Sequence, residues 1–387
     1  MSEALPEHEA LRRLLGAWAL RACSSSEREE IARHLEGCPS CAAEAERLRR
    51  VVELLHPHMD LDLPPALRAE VLGTCFAARS PQVEIPEWAR PFDAETARLD
   101  ALLNDMNAQE WRKPVQLAWR EEDEPATRHT TVEGVLGHLL AVDAMVGAQL
   151  GLTDPVPRPD AETRAQDDPS SRTERLWRHE EGEAAAAGSG ARDEADPGGL
   201  HERWREHTYE LIRTCSYGQG GVADIGVPYG PGVVLPLRLA LLDRAFETWI
   251  HATDIADAVN YPYPAPVPEH LSTLIGVAVQ MLPSVLAARR QAGLASPPLP
   301  LIRPGADGRS VRLEIRGESG GDWYLPIDAP DGPAGPDNCV GHVVLPEVAF
   351  CRLAAGHLSP RELAEQQVGD VVAATEILYA MASMSRL

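Results

Sequence analysis

His34-xxx-Cys38-xx-Cys41 constrains the first part of this chain more than any other stretch. A Cys-x-x-Cys turn lets two thiolates point at one ion, and a histidine one helical turn earlier adds a third donor. Sulfur with imidazole nitrogen is the ligand chemistry of tetrahedral zinc, which needs one more group. His8 and Cys23 are the upstream candidates. A redox Cys-x-x-Cys expects a thioredoxin-like strand before it, whereas here a helix precedes Cys38. Ser24 to Ser26 cap that helix, with Glu27 and Glu29 in its first turn and Gly37 at its end. Leu11, Leu14, Leu15 and Trp18 mark a helix before it, and Leu48, Val51, Val52 and Leu55 one after it. Pro64-Pro65 opens a fourth, short amphipathic helix through Leu67, Val71, Leu72 and Phe76. Residues 1–78 therefore read as a self-contained helical block. Such a block buries little core, so zinc supplies much of its folding free energy.

Leu15-Gly16-Ala17-Trp18-Ala19-Leu20, Glu27, His34-Leu35-xx-Cys38-Pro39-xx-Cys41 and Leu63-Pro64-Pro65-Ala66-Leu67-Arg68 resemble the zinc-binding anti-sigma domain. The resemblance implies a fourth ligand on the first helix, at a spacing that His8 fits and Cys23 does not. Some relatives exchange zinc for a disulfide through a cysteine at that place. Histidine cannot form that bond, so a structural, redox-insensitive zinc on His8, His34, Cys38 and Cys41 is expected. The implied partner is an extracytoplasmic-function sigma factor, clamped by the helices of the block. Cys23 and Cys75 read as small core hydrophobes.

A second constellation lies in the apolar run Leu235 to Val259. Glu247 and His251 are four apart and share one face of a helix, and Asp254 lies three residues further on nearly the same face. A carboxylate and an imidazole so placed can bind one ion, with Asp254 holding the second imidazole nitrogen from outside. His138 is the candidate third ligand, on a helix that a Thr130/Glu133 capping box opens. Two histidines and a glutamate suit zinc with an open position, and other divalent ions as well. The bland alternatives are a surface ion pair for Glu247/His251, a satisfied core histidine for His138 and a solvated Asp254.

Phe92 to Trp111, His138-Leu139, Tyr229-Gly230-Pro231-Gly232 and Glu247-xxx-His251-xx-Asp254 resemble the mycothiol-dependent maleylpyruvate isomerase family. That resemblance implies a DinB-like four-helix bundle over residues 92–266 and an α/β (SCP2-like) unit over 267–387. It also implies a divalent metal on His138, Glu247 and His251, and mycothiol as the thiol that the metal accepts. Relatives often carry a substrate-contacting arginine where this chain has His357 after Gly356. His357 can contact a ligand but lacks the two-pronged grip on a carboxylate. This departure argues against the original substrate while leaving the metal.

The expected fold is thus mainly α with a small α/β C-terminal domain. Residues 79–91 read as a Pro-bearing linker, and about 154–198, rich in Pro, Asp, Glu, Arg, Ala and Gly, as a mobile insertion. Bundle helices are expected at Asp93 to Met106, Thr131 to Leu150 and Gly199 to Ser216, then a loop from Tyr217 to Pro236. A helix from Pro268 to Gln291 precedes strands at Ser310 to Ile315, Trp323 to Ile327 and Cys339 to Leu345, and helices at Pro346 to Ala355 and Gly369 to Ser383.

Charge narrows the partners. The formal net charge is −23 and Lys113 is the only lysine. Arginines are scattered without a basic stripe, which argues against direct binding of nucleic acid or an anionic membrane. The longest apolar stretch, Leu274 to Ala288, is broken by Gln280 and Pro283 and is too short for a span. The acidic start lacks a signal-peptide pattern, and seven cysteines do not read as a disulfide framework. A cytoplasmic protein is expected. Three readings compete: a regulator that senses a thiol or small ligand, a mycothiol-dependent isomerase or transferase, and a binding protein with an inert site.

Overall fold

The computed structural model of the chain describes residues 4–55, 67, 71, 74–75, 84–121, 123–156, 168–186, 197–218, 221–230, 233–298, 308–363 and 367–385. It divides into two compact units, Met1–Gln82 and Val83–Leu387. Mostly helical, it has a helical N-terminal region and a small mixed sheet near the C-terminus.

In the first unit, α1 (Ala4–Ala19), α2 (Ser25–Gly37) and α3 (Pro39–Leu55) pack on one another. Ser24 caps α2 reciprocally: its hydroxyl accepts from Glu27 N, and the Glu27 carboxylate accepts from Ser24 N at 2.8 Å. Pro39 starts α3 at the first helical position, where a missing N–H costs nothing. Among the described residues of this unit, the wholly buried apolar ones are Leu15, Ile31, Cys41 and Ala45, two of them small. The fourth helix expected from Pro64 falls mostly outside the described residues.

Four helices of the second unit pack around shared cores: α4 (Arg90–Asp105), α5 (Val132–Gln149), α7 (Pro197–Gly218) and α8 (Leu237–Val259). α4 and α5 each contact both α7 and α8. α5 is buried almost all round, which its near-continuous apolar sequence allows. It is capped by Thr131, whose hydroxyl accepts from Gly134 N, one residue later than the expected Thr130/Glu133 box. The end of the expected linker is structured, with a 3-10 turn at Glu87–Ala89 and α4 opening at Arg90.

The expected mobile insertion also holds an ordered element. α6 (Pro169–Ala186) packs on α5, burying Arg172, Thr173, Leu176 and Trp177. Trp177 donates to Gly134 O, and Arg172 donates to Ala141 O and to Asp154. Charged residues around α6 masked this apolar face in the sequence. Two hairpins were also missed: β1 (Pro114–Glu121) with β2 (Glu124–Thr131), and β3 (Gly226–Gly230) with β4 (Val233–Pro236).

After α9 (Pro268–Gln291), strands β5 (Ser310–Arg316), β6 (Gly321–Pro326), β7 (Cys339–Pro346) and β8 (Gln367–Gly369) form a mixed sheet in the order β6-β5-β7-β8. β5 runs parallel to β7, and the other pairs are antiparallel. Val311, Leu313 and Ile315 of β5 and Val343 and Leu345 of β7 alternate inward, onto α9, α10 (Glu347–Ala354) and α11 (Val371–Ala382). Trp249 and Ile250 of α8 join this same core, so α8 ties the sheet to the helices before it. By length and mean hydropathy α9 (24 residues) is apolar enough to cross a membrane, a longer stretch than the sequence reading counted. Its Leu271, Ile275, Val279, Leu282 and Leu286 are instead buried against the sheet and its helices.

Candidate metal centres

In the first unit the turn between α2 and α3 sets Cys38 and Cys41 beside His34, and α1 brings His8 over them. One donor atom from each lies within 4.8 Å of the other three. His8 Nδ1 is 3.2 Å from His34 Nε2, 3.8 Å from Cys38 Sγ and 4.0 Å from Cys41 Sγ. Ligand bonds of ordinary zinc length meeting at tetrahedral angles give edges of about 3.4 Å between nitrogens and about 3.6 Å between nitrogen and sulfur. The three distances from His8 thus stand close to those edges. Ser40 bonds to Cys38 Sγ at 3.2 Å and lowers that thiol's pKa, whereas burial raises that of Cys41. Cys23 stands outside the group; its sulfur is directed at Leu14 O, 3.9 Å away.

In the second unit, α5 and α8 bring together His138, Glu247 and His251, again with one donor atom each within 4.8 Å. His138 Nε2 is 3.8 Å and His251 Nε2 is 3.6 Å from Glu247 Oε2, and the two rings cross at 88° with centroids 4.9 Å apart. The second nitrogen of each ring fixes the first. Thr173 gives its hydroxyl proton to Pro169 O, so at 2.8 Å it accepts from His138 Nδ1–H. His138 Nε2 then carries a lone pair and is fully buried; among the described residues nothing lies within hydrogen-bond distance of it, and Glu247 Oε2 faces it at 3.8 Å. His251 Nδ1 donates to Asp254 Oδ2 at 3.0 Å, which likewise turns its Nε2 toward Glu247. A lone pair buried without a partner is costly, and a cation between the two rings and the carboxylate would satisfy all three.

Electrostatics set the two histidines apart. Burial pushes His138 down to about 4 against the pull of Glu247. Burial lowers His251 too, but hydrogen bonds to Asp254 and Glu247 outweigh it and hold the imidazole up to about 9. Arg244 stands behind Glu247, with Nη1 3.7 Å from Oε2, and donates from Nε to Asp143 Oδ1 at 2.9 Å. Trp204 donates to the other Asp143 oxygen. Arg244, Glu247, His251 and Asp254 follow spacings of three, four and three, so they form one polar stripe down α8.

His357 follows Gly356, whose φ of +80° closes α10. Its Nε2 lies 3.6 Å from Asp254 Oδ1, so it touches the residue that holds His251 rather than the three donors themselves. A cavity of about 260 Å³ opens on Glu247, His251 and His357. Thr173, Asp143 and Arg244 were missed by the sequence reading. For Asp143 a signal existed: it is the single charged residue in the apolar run from Val135 to Val146.

Residues 9–42 match the family described as "Putative zinc-finger". That match takes in His34, Cys38 and Cys41 and begins one residue after His8. No curated protein matches the chain. Among solved structures, the mycothiol-dependent maleylpyruvate isomerase is similar at 16% identity and a TM-score of 0.38, covering 70% of this chain and 89% of that one. A point mutant of that isomerase is similar at 15% identity and a TM-score of 0.39, covering 74% of this chain and 92% of that one.

Proposed function

We propose that this chain is a cytoplasmic, zinc-binding, anti-sigma-like regulator whose second unit senses a low-molecular-weight thiol, such as mycothiol, or another small ligand. On this reading residues 1–78 clamp an extracytoplasmic-function sigma factor through apolar helix faces, residues 79–91 link, 92–266 form a DinB-like four-helix bundle, and 267–387 an α/β unit. The carrying observation is the convergence of His138 Nε2, the Glu247 carboxylate and His251 Nε2 from two helices, each imidazole turned by its own partner. The arrangement supports a retained site rather than a decayed one. The His8, His34, Cys38 and Cys41 cluster and the zinc-finger match support the regulatory half. The reading predicts a sigma-factor gene next to this one, and co-expression of the two products tests it. The pair co-purifies under reducing conditions, and a Cys38→Ser/Cys41→Ser variant loses the partner.

The cavity on Glu247 and His251 favours a second reading, a thiol-dependent metalloenzyme of the isomerase or transferase kind with an accessory zinc finger. A divalent ion held there supplies Lewis acidity, which makes a thiol a strong nucleophile at neutral pH. Asp254 and Thr173 keep both imidazoles in the ligating tautomer, and the apolar walls exclude water. Turnover that depends on mycothiol and vanishes in His251→Ala, with no sigma factor co-purifying, would put this reading first.

A further inference from the structure

We infer that the cavity beside His251 takes a small amphiphile, one anionic head on a hydrocarbon body, with the head at the His138, Glu247 and His251 donors. The inference rests on the metal-binding reading of that site. Glu247 and His251 line the cavity and the buried His138 does not, so a further donor reaches the set from the cavity side. A divalent ion on two neutral imidazoles and one carboxylate keeps an open position and one unit of positive charge. A carboxylate or thiolate head fills the first and neutralises the second. Other cations do not compete for it. Among the described residues no lysine or arginine lines the cavity, and burial lowers His357, which is neutral at pH 7. Arg289, which donates to Ser383 on the wall, clamps both oxygens of Asp123 at 2.7 and 2.9 Å. Asp243, the wall's other acid, disfavours the head elsewhere.

The rest of the wall selects the body. Leu242, Phe246 and Ile250 of α8 and Leu274, Val277 and Met281 of α9 line the cavity, so most of it is hydrocarbon. Among the described residues its side-chain hydroxyls are those of Ser383 and Ser385, and both are engaged. Ser383 donates to Tyr379 O and accepts from Arg289, while Ser385 donates to Ala382 O and accepts from Arg120 N. Hydroxyls or amides on the ligand's body would be buried there without partners, whereas each methylene gains by leaving water. The donor set thus fixes the head, and the length of the hydrocarbon decides which anion stays.

Titration calorimetry of the zinc-loaded full chain at pH 7 with straight-chain carboxylates, butanoate through octanoate, tests this. The head stays constant while the body grows. Affinity should rise about fourfold with each methylene. Ala278→Trp, which fills the cavity, should flatten that rise. Octanoate should also change the visible absorption of the cobalt-loaded chain, and octanamide, which lacks the charge, should not. An affinity indifferent to chain length, a rise that persists in Ala278→Trp, or a cobalt spectrum blind to octanoate would each overturn the inference. Metal content of the same samples keeps the two claims apart. About two ions per chain with no rise along the series sink the amphiphile alone, whereas an empty bundle site sinks the metal reading beneath it as well.

Discussion

His251 Nδ1 lies 3.0 Å from Asp254 Oδ2, and this bond both turns the imidazole toward Glu247 and raises its affinity for a proton. With a pKa near 9, His251 holds a proton at pH 7 when no ion is bound, whereas His138, near 4, holds none. Metal uptake at pH 7 by Cys38→Ser/Cys41→Ser protein should therefore release about one proton, and affinity should fall about tenfold per unit as pH drops from 9 toward 6. Calorimetry in buffers of different ionisation enthalpy counts the proton. Asp254→Asn should release less and bind about 10–100-fold more weakly.

The same two residues shape the stability of the metal-free bundle. A histidine raised in the folded state stabilises fully below its unfolded pKa, about 6.5, and loses that contribution as pH rises through its folded value. For His251 that window runs from about 6.5 to about 9. His138, lowered to about 4, destabilises the fold as pH falls from about 6.5 through that value. Their combined contribution peaks near pH 6.5, which urea titrations at several pH values on wild type, His138→Gln and His251→Gln should show.

Thr173 contributes one acceptor oxygen to Nδ1 of His138. Thr173→Val keeps the shape but leaves Nδ1–H without its partner, freeing the ring to turn or to change tautomer. Metal affinity at the bundle site should fall about 10–100-fold while the zinc of the first unit is unaffected. Competition against a chromogenic chelator resolves the two.

Asp143 and Arg244 form an ion pair in which neither side chain exceeds 1% exposure. Arg244→Met strands a buried carboxylate and should cost about 3–5 kcal/mol in denaturant unfolding. The double variant Asp143→Leu/Arg244→Met should recover much of that loss, since it removes both charges.

Much of this was legible because each donor pair repeats with the helix. The spacing of Cys38/Cys41 with His34 points to zinc by itself, whereas that of Glu247/His251 also allows a surface ion pair and is read as a metal site through the resemblance. What links Thr173 to His138, or Asp143 to Arg244, is packing between helices distant in sequence, which no local period records. α6 was hidden because its buried face is narrow and its flanks are charged. The β1–β2 hairpin was hidden because β2, Glu-Pro-Ala-Thr-Arg-His-Thr-Thr, has no buried residue to mark an alternation. Where one strand face is solvated and the other only half covered, the hydrophobic pattern that sequence reasoning relies on is absent.

His8 completes the first cluster although it lies outside the zinc-finger match. His8→Ala should lose zinc and helicity in the first unit, whereas Cys23→Ala should keep both. Circular dichroism with a zinc-release assay distinguishes them.

Metal content of the purified chain, by mass spectrometry against protein concentration, bears most directly on the central claim of two separate ion sites. Wild type should carry about two ions, Cys38→Ser/Cys41→Ser about one, His138→Ala/His251→Ala about one, and the combination none. A single ion in wild type that the His138→Ala/His251→Ala variant retains in full would contradict the account of the bundle site.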